Sequence, residues 1–568
     1  MDGIVKVRFL AGWWIVSLLS VASLAAAGMD LRLVDAARSG DKKAVRALLD
    51  QGADVKASQA DGATALAWAV YHDDLETAEL LIAAGADVNA ANDYGVSPLA
   101  LACTNQNPVM VETLLKAGAN PKTAQWTGET PLMTATRLGT VEVVNLLLAH
   151  GADVNAKESR RGQTALMWAI AQGYPQIARI LIEQGADVRA RSHQLAADGF
   201  KPKVTTTWEG DLQVSSKGGF TPLLFAAQQG DLETARLLLA AGADVDESTE
   251  EDGTALLLAS ANGYEQLALF LLEMGADPNA TPGDGSGITA LHYAMRDGMK
   301  SLLDGKSGGL FVQKTKIEQK SYTKEEADRG PLAGPDMPAL MRALIAHGAD
   351  PNARMLKTPA RLRQGARTFA SMIGTTPFLL AAASANYDGL RFLVESGAKS
   401  KVTTVVDLEV NPEGVFSDQA QIQGSATPLM AAAGIGRARD RGKEEAKKAL
   451  EAVKVLVELG ADVNYANETG YTALHAAAYS GADEIIQFLA EKGAKLDVQN
   501  GCGQTPLSLA DGSNPRGLIA IPRARESTAA LLLKLGAGAT PLSGPVGRCI
   551  EGRFGIDYFT ERDKKKAP

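Results

Sequence analysis

Large side chains and reactive ones are scarce in this chain. Aromatic residues make up only 5% of its 568 residues, so whatever core it forms must be built from alanine, leucine and valine rather than from rings. Three cysteines (Cys103, Cys502, Cys549) are too few for a disulfide-dense scaffold. Six histidines lie scattered, none paired at metal-ligand spacing. Neither Cys-x-x-Cys-His nor His-Glu-x-x-His occurs, so haem attachment and zincin hydrolysis have no support. Gly305-Lys306-Ser307 resembles the end of a phosphate-binding loop, but the glycine required five residues earlier is Lys300 and no strand leads in. Gly283, Gly285 and Gly287 lack dinucleotide-binding spacing. A formal charge of −9 is mild for this length and marks neither a nucleic-acid binder nor a polybasic membrane-surface protein.

What is abundant is small, apolar and periodic. Twelve glycine–alanine steps recur in one phase, at Gly52, Gly85, Gly118, Gly151, Gly185, Gly242, Gly275, Gly348, Gly397, Gly460, Gly493 and Gly536. The first five are 33, 33, 33 and 34 residues apart, and the later gaps of 57, 33, 73, 49, 63, 33 and 43 are the same period with material added. A period near 33 with one supersecondary unit per repeat is the mark of a solenoid, which grows in one dimension without a single large core.

Within each period a second signal keeps its place: Thr64-Ala65-Leu66, Ser97-Pro98-Leu99, Thr130-Pro131-Leu132, Thr164-Ala165-Leu166, Thr221-Pro222-Leu223 and Thr254-Ala255-Leu256, with Thr289, Thr376, Thr427, Thr472 and Thr505 opening the later ones. The hydroxyl suits a helix N-cap, and proline at the first helical position loses nothing, because its missing N–H would be unpaired there anyway. A second helix follows, as over Leu75 to Ala83, and the glycine ends it in the left-handed conformation. The Asp-Val-Asn stretch beyond predicts a tight hairpin. The first repeat, from Leu31, lacks the threonine opening, as terminal repeats often do.

These two motifs in fixed phase, fullest at Gly151-Ala152-Asp153-Val154-Asn155-Ala156 and Thr472-Ala473-Leu474-His475, resemble the ankyrin repeat over roughly residues 29 to 538. The resemblance implies an all-α solenoid of about twelve stacked repeats, each two antiparallel helices with a β-hairpin finger. It also implies a concave face of fingers and first helices that binds other proteins and does no chemistry. Only His292 and His475 keep the family's first-helix histidine, which ties neighbouring hairpins together, so the other fingers are expected to be less rigid.

The chain divides into residues 1–27, a repeat domain over 28–538, and a tail over 539–568. Lys6 and Arg8, an apolar run from Phe9 to Leu24, and Ala25-Ala26-Ala27 before Gly28 read as a secretory signal with its cleavage site. Retention as a signal anchor is the alternative, since the run approaches the ~20 residues of a bilayer span. Either outcome exports the repeats, to a periplasm or beyond the cell.

Insertions near 191–217, 354–373 and 400–424 fall in fingers; those near 299–336, 437–449 and 511–525 fall between a first and a second helix. Lys203 to Trp208 and Lys401 to Val406 are β-rich runs that predict lengthened fingers. Glu444/Lys448 and Lys447/Glu451, each four apart, predict a longer solvated helix. The tail carries Phe554, Tyr558 and Phe559, which suit a cap over the last repeat.

Candidate contact residues lie where the repeat leaves its positions variable: Tyr71, His72, Asn105, Arg137, Gln229, Arg296 and Tyr479 at the ends of first helices, and Tyr94, Trp126, Arg160 and Arg161 at fingertips. Trp, Tyr and Arg are the residues enriched at protein hot spots. Trp68, Trp168, Phe225 and Tyr293 share one repeat position and read as packing between repeats. His150 and His347, before helix-ending glycines, suit the negative helix terminus. Glu247, Glu250, Glu251 and Asp252 read as a solvated acidic fingertip. Asn279-Ala280-Thr281 and Asn467-Glu468-Thr469 match the glycosylation acceptor pattern. Cys103 reads as a buried small residue. In an oxidising compartment Cys502 and Cys549 could pair, although spacing alone does not establish a disulfide.

The expected function is that of an exported, monomeric scaffold binding one or more proteins, without cofactor or metal. An effector acting on a host or competitor protein shares every one of these features. An enzyme with its site in the insertions lacks any converging nucleophile, base or metal set.

Overall fold

The computed structural model describes residues 30–193, 218–303, 335–357, 373–405, 425–435, 442–500, 503–512 and 525–538. Among them lie 25 helices and one two-residue hairpin, Ser248–Thr249 with Gly253–Thr254, so the chain is an all-α repeat array with short fingers. The helices form twelve pairs, a shorter inner helix followed by an outer one, from Arg32–Arg38 with Lys42–Asp50 to Pro506–Ala510 with Glu526–Leu535. One further helix, Arg296–Leu303, belongs to no pair. The chain divides after Ala243 into two compact units of six pairs each.

The opening motif behaves as its chemistry predicts. Thr64 Oγ1 accepts from the Ala67 N–H at 3.1 Å, Thr130 from Met133 at 3.3 Å and Thr427 from Met430 at 3.2 Å, each supplying an otherwise orphaned amide of the first turn. Leu31 opens the first repeat without a side-chain cap. At the far end of each outer helix the glycine turns left-handed: at Gly85 φ is +90°, with Gly85 N–H donating to Ile82 O and Ala86 N–H to Leu81 O, both at 2.9 Å.

Alanine and leucine fill the interior. Leu66, Leu81, Leu99, Leu114, Leu132, Leu147 and Leu166 are all at most 1% exposed, and the small alanines between them let helices approach closely. Cys103 is one of these small residues; it is wholly buried, and desolvation pushes its thiol up to about 12.

Neighbouring repeats are also joined by polar rungs. Asn89 Nδ2 donates to Gly118 O at 3.1 Å while its Oδ1 accepts from Asn120 N–H at 2.7 Å. Asn155 spans Gly185 and Asp187 the same way. In the second unit Asn279 spans Gly348 and Asp350, Asn352 spans Gly397 and Lys399, and Asn464 spans Gly493 and Lys495. One asparagine thus serves the two orphan groups that a turning helix end leaves in the next repeat.

The two retained histidines tie fingers as the resemblance implies. Each ring accepts at Nδ1 from its N-cap threonine N–H at 3.2 Å, and each Nε2 meets the next finger, His292 at Thr375 O (3.3 Å) and His475 at Gln504 O (3.1 Å). Burial depresses both rings to about 4.

The insertions are described at their roots. Ser192 N–H donates to Phe220 O at 2.9 Å and Ser192 Oγ accepts from Phe220 N–H at 2.9 Å. Thr404 N–H donates to Ala426 O at 3.0 Å and Thr404 Oγ1 accepts from Ala426 N–H at 2.7 Å. Two insertions therefore leave from bases closed by the same pair of bonds. The insertion from 299 begins inside the helix Arg296–Leu303, which packs so closely on Pro377–Ala383 that a Cβ at Gly298 would overlap the Leu380 carbonyl. The insertion near 437–449 enters the helix Lys443–Glu458, at 16 residues longer than the outer helices of nine that precede it, with Lys454 bonded to Glu451 at 2.8 Å. Residues 1–27, the whole run 203–208, residues 513–524, Cys502, Cys549 and the tail lie outside the described residues.

Candidate interaction surface

The fingertips of the first unit are strung together backbone to backbone. Asp93 N–H donates to Asp61 O (2.9 Å), Trp126 N–H to Tyr94 O (3.0 Å), Ser159 N–H to Thr127 O (2.8 Å) and His193 N–H to Arg161 O (2.6 Å). Each tip turns on a left-handed glycine, and stacking is close: a Cβ on Gly95 would lie 3.0 Å from Gln125 Cα. These fingers, whose inner helices lack the histidine, are thus still tied to one another by backbone bonds, and the residues on this edge are presented from a joined row.

Tyr94 and Trp126 stand on consecutive tips, 51% and 74% exposed, in a chain with few aromatics. Arg160 and Arg161 occupy the next tip, both exposed. The nearby Glu158 forms no ion pair with them: its carboxylate is buried and accepts from the backbone N–H groups of Arg160 (2.7 Å), Arg161 (2.6 Å) and Gln163 (3.1 Å). Among the described residues neither guanidinium has an ion-pair partner.

The ends of the inner helices have a different role. His72 Nε2 lies 2.8 Å from Arg38 O, Asn105 Nδ2 donates to Val70 O at 2.6 Å, and Ser480 Oγ donates to Ala433 O at 3.0 Å. In each case a side chain eight residues past the opening hydroxyl satisfies a C-terminal carbonyl of the preceding inner helix.

Arg296 is an extreme case and corrects its reading as a contact residue. It is 0% exposed, and its Nη1 and Nη2 donate to Ser260 O (3.3 Å) and Ala261 O (2.8 Å) at the end of Ala255–Asn262. Tyr479 is likewise buried, 7% exposed beside Tyr471, with its carbonyl accepting from Arg525 Nε at 3.0 Å. Neither presents surface to a partner.

Of the remaining inner-helix candidates, Tyr71 is exposed and edge-on to Trp68 (5.6 Å between centroids). Gln229 is exposed, and Arg137 bonds Glu129 at 3.1 Å, which offsets its charge. Trp68 and Trp168 are half-buried, each donating Nε1 to a glutamine, Gln59 (3.3 Å) and Gln163 (3.0 Å).

His150 Nδ1 lies 2.9 Å from Leu146 O at its helix end. Both glycosylation acceptors are occupied by the fold: Asn279 Nδ2 donates to Gly348 O, and Asn467 Nδ2 to Ser425 O at 2.8 Å. Among the described residues no three His, Cys, Asp or Glu side chains converge as a metal site, and no helix is long and apolar enough to cross a membrane.

A family model described as ankyrin repeats (three copies) matches residues 33–125, 111–192, 194–282, 408–500 and 444–515, more than half of the chain. Among curated proteins, the chain is 44% identical over 62 residues to the mouse protein phosphatase 1 regulatory subunit 27, covering 11% of this chain and 40% of that protein. It is 31% identical over 270 residues to the human ankyrin repeat and SOCS box protein 16, covering 39% of this chain and 58% of the relative. Against the mouse protein phosphatase 1 regulatory subunit 12A it is 38% identical over 66 residues, covering 12% and 6%. In each case the chain spans less than two thirds of the relative's length.

Proposed function

This chain belongs to the ankyrin-repeat family, and from that premise we propose that it is an exported scaffold that holds one or more proteins by its fingertip edge. The observation that carries the reading is the placement of Tyr94 and Trp126 on consecutive, backbone-bonded tips, followed by two arginines with no ion-pair partner among the described residues. An indole this exposed on a backbone-bonded tip has little to do within the fold and suits a partner's pocket, where aromatic and arginine anchors carry most of the binding energy. Two relatives are named as regulatory subunits, which fits a chain that acts by contact rather than by chemistry.

Export rests on the basic, apolar and small-residue order of Lys6 to Gly28. Sequencing the N-terminus of the mature protein tests it: a chain starting near Gly28 supports cleavage, and an intact Met1 in a soluble cytosolic fraction overturns export.

The binding edge is tested in the native compartment with a photoreactive amino acid at position 94 and, in parallel, at the outer-helix position 79. A discrete adduct from position 94 alone, lost in a Trp126→Ala, Arg160→Ala variant, is the expected result. Unchanged capture by that variant, or equal labelling from position 79, would overturn the choice of edge.

A further inference from the structure

The fingertip row is ordered by charge. Along the bonded tips of the first unit the side chains run Asp61 and Asp93, then Tyr94 and Trp126, then Arg160 and Arg161, then His193. The acidic residues fall on the first two tips, the aromatic ones on the second and third and the arginines on the fourth, so the row is a dipole with an apolar centre. Neighbouring charges do not erase it. Glu158 is consumed by backbone amides, and Glu129 by Thr134 Oγ1 (2.8 Å) and Arg137. The carboxylates Asp54, Asp87, Asp153 and Asp187 each accept an N–H two residues on, as Asp61 does from Ala63 at 3.1 Å, and they are set apart from the row by lying at the finger bases rather than at the bonded tips.

We propose that this row takes an extended segment of a partner protein whose own charges run the opposite way: a basic residue over Asp61 and Asp93, an apolar side chain over Trp126, and acidic residues over Arg160 and Arg161. The proposal rests on the fingertip reading above and specifies the partner it fits. Each finger contributes two passes of chain, and hydrogen-bonded passes lie about 4.8 Å apart, so tips recur roughly every 10 Å. An extended segment rises about 3.3 Å per residue, which gives about three residues per finger. The acidic residues therefore lie about three residues from the apolar one, and the basic residue about three to six residues on its other side.

Solvent-exposed complementary charges of this kind set orientation and association rate more than affinity, and salt screens them. The apolar centre supplies an anchor that salt does not weaken. Such a segment binds in one direction along the row, because reversing it brings like charges together at both ends.

The test is to pan a random twelve-residue peptide library on the full chain and measure the enriched peptides by fluorescence anisotropy. Enriched sequences are expected to share an apolar residue with Asp or Glu about three residues to one side and Lys or Arg on the other. Binding should fall at least tenfold with Trp126→Ala and at least tenfold with Arg160→Glu/Arg161→Glu. Replacing the peptide's acids with lysines should restore binding to the latter variant.

Peptides that need Trp126 but carry no acidic preference, or that ignore the arginine reversal, overturn the charge pattern and leave the fingertip reading standing. Peptides indifferent to Trp126→Ala overturn the fingertip reading itself. A second copy of the chain seated on the row would overturn the proposal, and it would appear as concentration-dependent dimerisation in sedimentation velocity, abolished by Trp126→Ala.

Discussion

The guanidinium of Arg296 donates to the carbonyl of Ala261 at 2.8 Å with the side chain wholly buried. A charge is thus spent on closing the end of a neighbouring inner helix, and desolvation lowers its affinity for the proton. Truncation by Arg296→Ala should leave both carbonyls without a donor and open a cavity, costing about 2–5 kcal/mol. Arg296→Met keeps most of the volume and sheds the buried charge, so its cost should be clearly smaller. Urea unfolding of the two variants followed by circular dichroism checks the order; equal losses would contradict the capping role.

Gly298 should reverse a familiar rule. Glycine inside a helix normally gives way to alanine with a gain of about 0.5–1 kcal/mol. Here the added methyl would overlap the Leu380 carbonyl oxygen of the neighbouring helix, so Gly298→Ala should destabilise, by about 1–3 kcal/mol as overpacking does. The denaturation midpoint reads the sign directly.

His292 and His475 make the second unit acid-sensitive. Their folded values of about 4 lie below the ordinary 6.5. Between those values the unfolded chain binds protons that the folded chain refuses. The contribution is therefore full above pH 6.5 and is lost as pH falls toward 4, by an amount on the order of 3 kcal/mol for each ring. Denaturation of the wild type from pH 7 to 4.5 should show the fall, and His475→Gln should reduce it by about half, His292 supplying the rest.

Asn89→Ala removes both bonds of one rung, to Gly118 and Asn120. Two hydrogen bonds of ordinary worth predict a loss of about 1–2 kcal/mol, felt at the junction of the second and third repeats. Hydrogen exchange should quicken at Gly118 to Lys122 and not in the second unit.

Trp126→Ala and Tyr94→Ala should leave stability within about 0.5 kcal/mol, because both rings are more than half exposed. A thermal scan matching the wild type is what makes any loss of binding by these variants interpretable.

The helix pairs and their caps were legible in the glycine–alanine phase and the Thr-Pro-Leu opening, because both motifs are local: a hydroxyl needs only the next turn to cap. The roles of His72, Asn105 and Arg296 were not. A polar residue at a helix end looks the same in sequence whether it meets water or the carbonyl of a neighbour some 35 residues earlier, and here it meets the carbonyl. Tyr479 was misread for the same reason. Tyr94, Trp126, Arg160 and Arg161, read as exposed fingertips, are so, because a hairpin tip has no later element to fold under. The order of charge along the tips emerged only when backbone bonds joined fingers that are about 33 residues apart.

The matching bases at Ser192/Phe220 and Thr404/Ala426 give the fold a pair of sockets. Each closes with its own backbone and hydroxyl bonds at the root of the intervening segment, which fixes where both ends of an insert must meet. Residues 194–217 or 406–424 could be exchanged for an epitope, a fluorescent reporter or a peptide tag as a cassette, as antibody loops are exchanged on a constant frame, with His193, Val405 and Ser425 kept for their bonds to neighbouring repeats. The same chain could then be refitted for a different task without rebuilding its core.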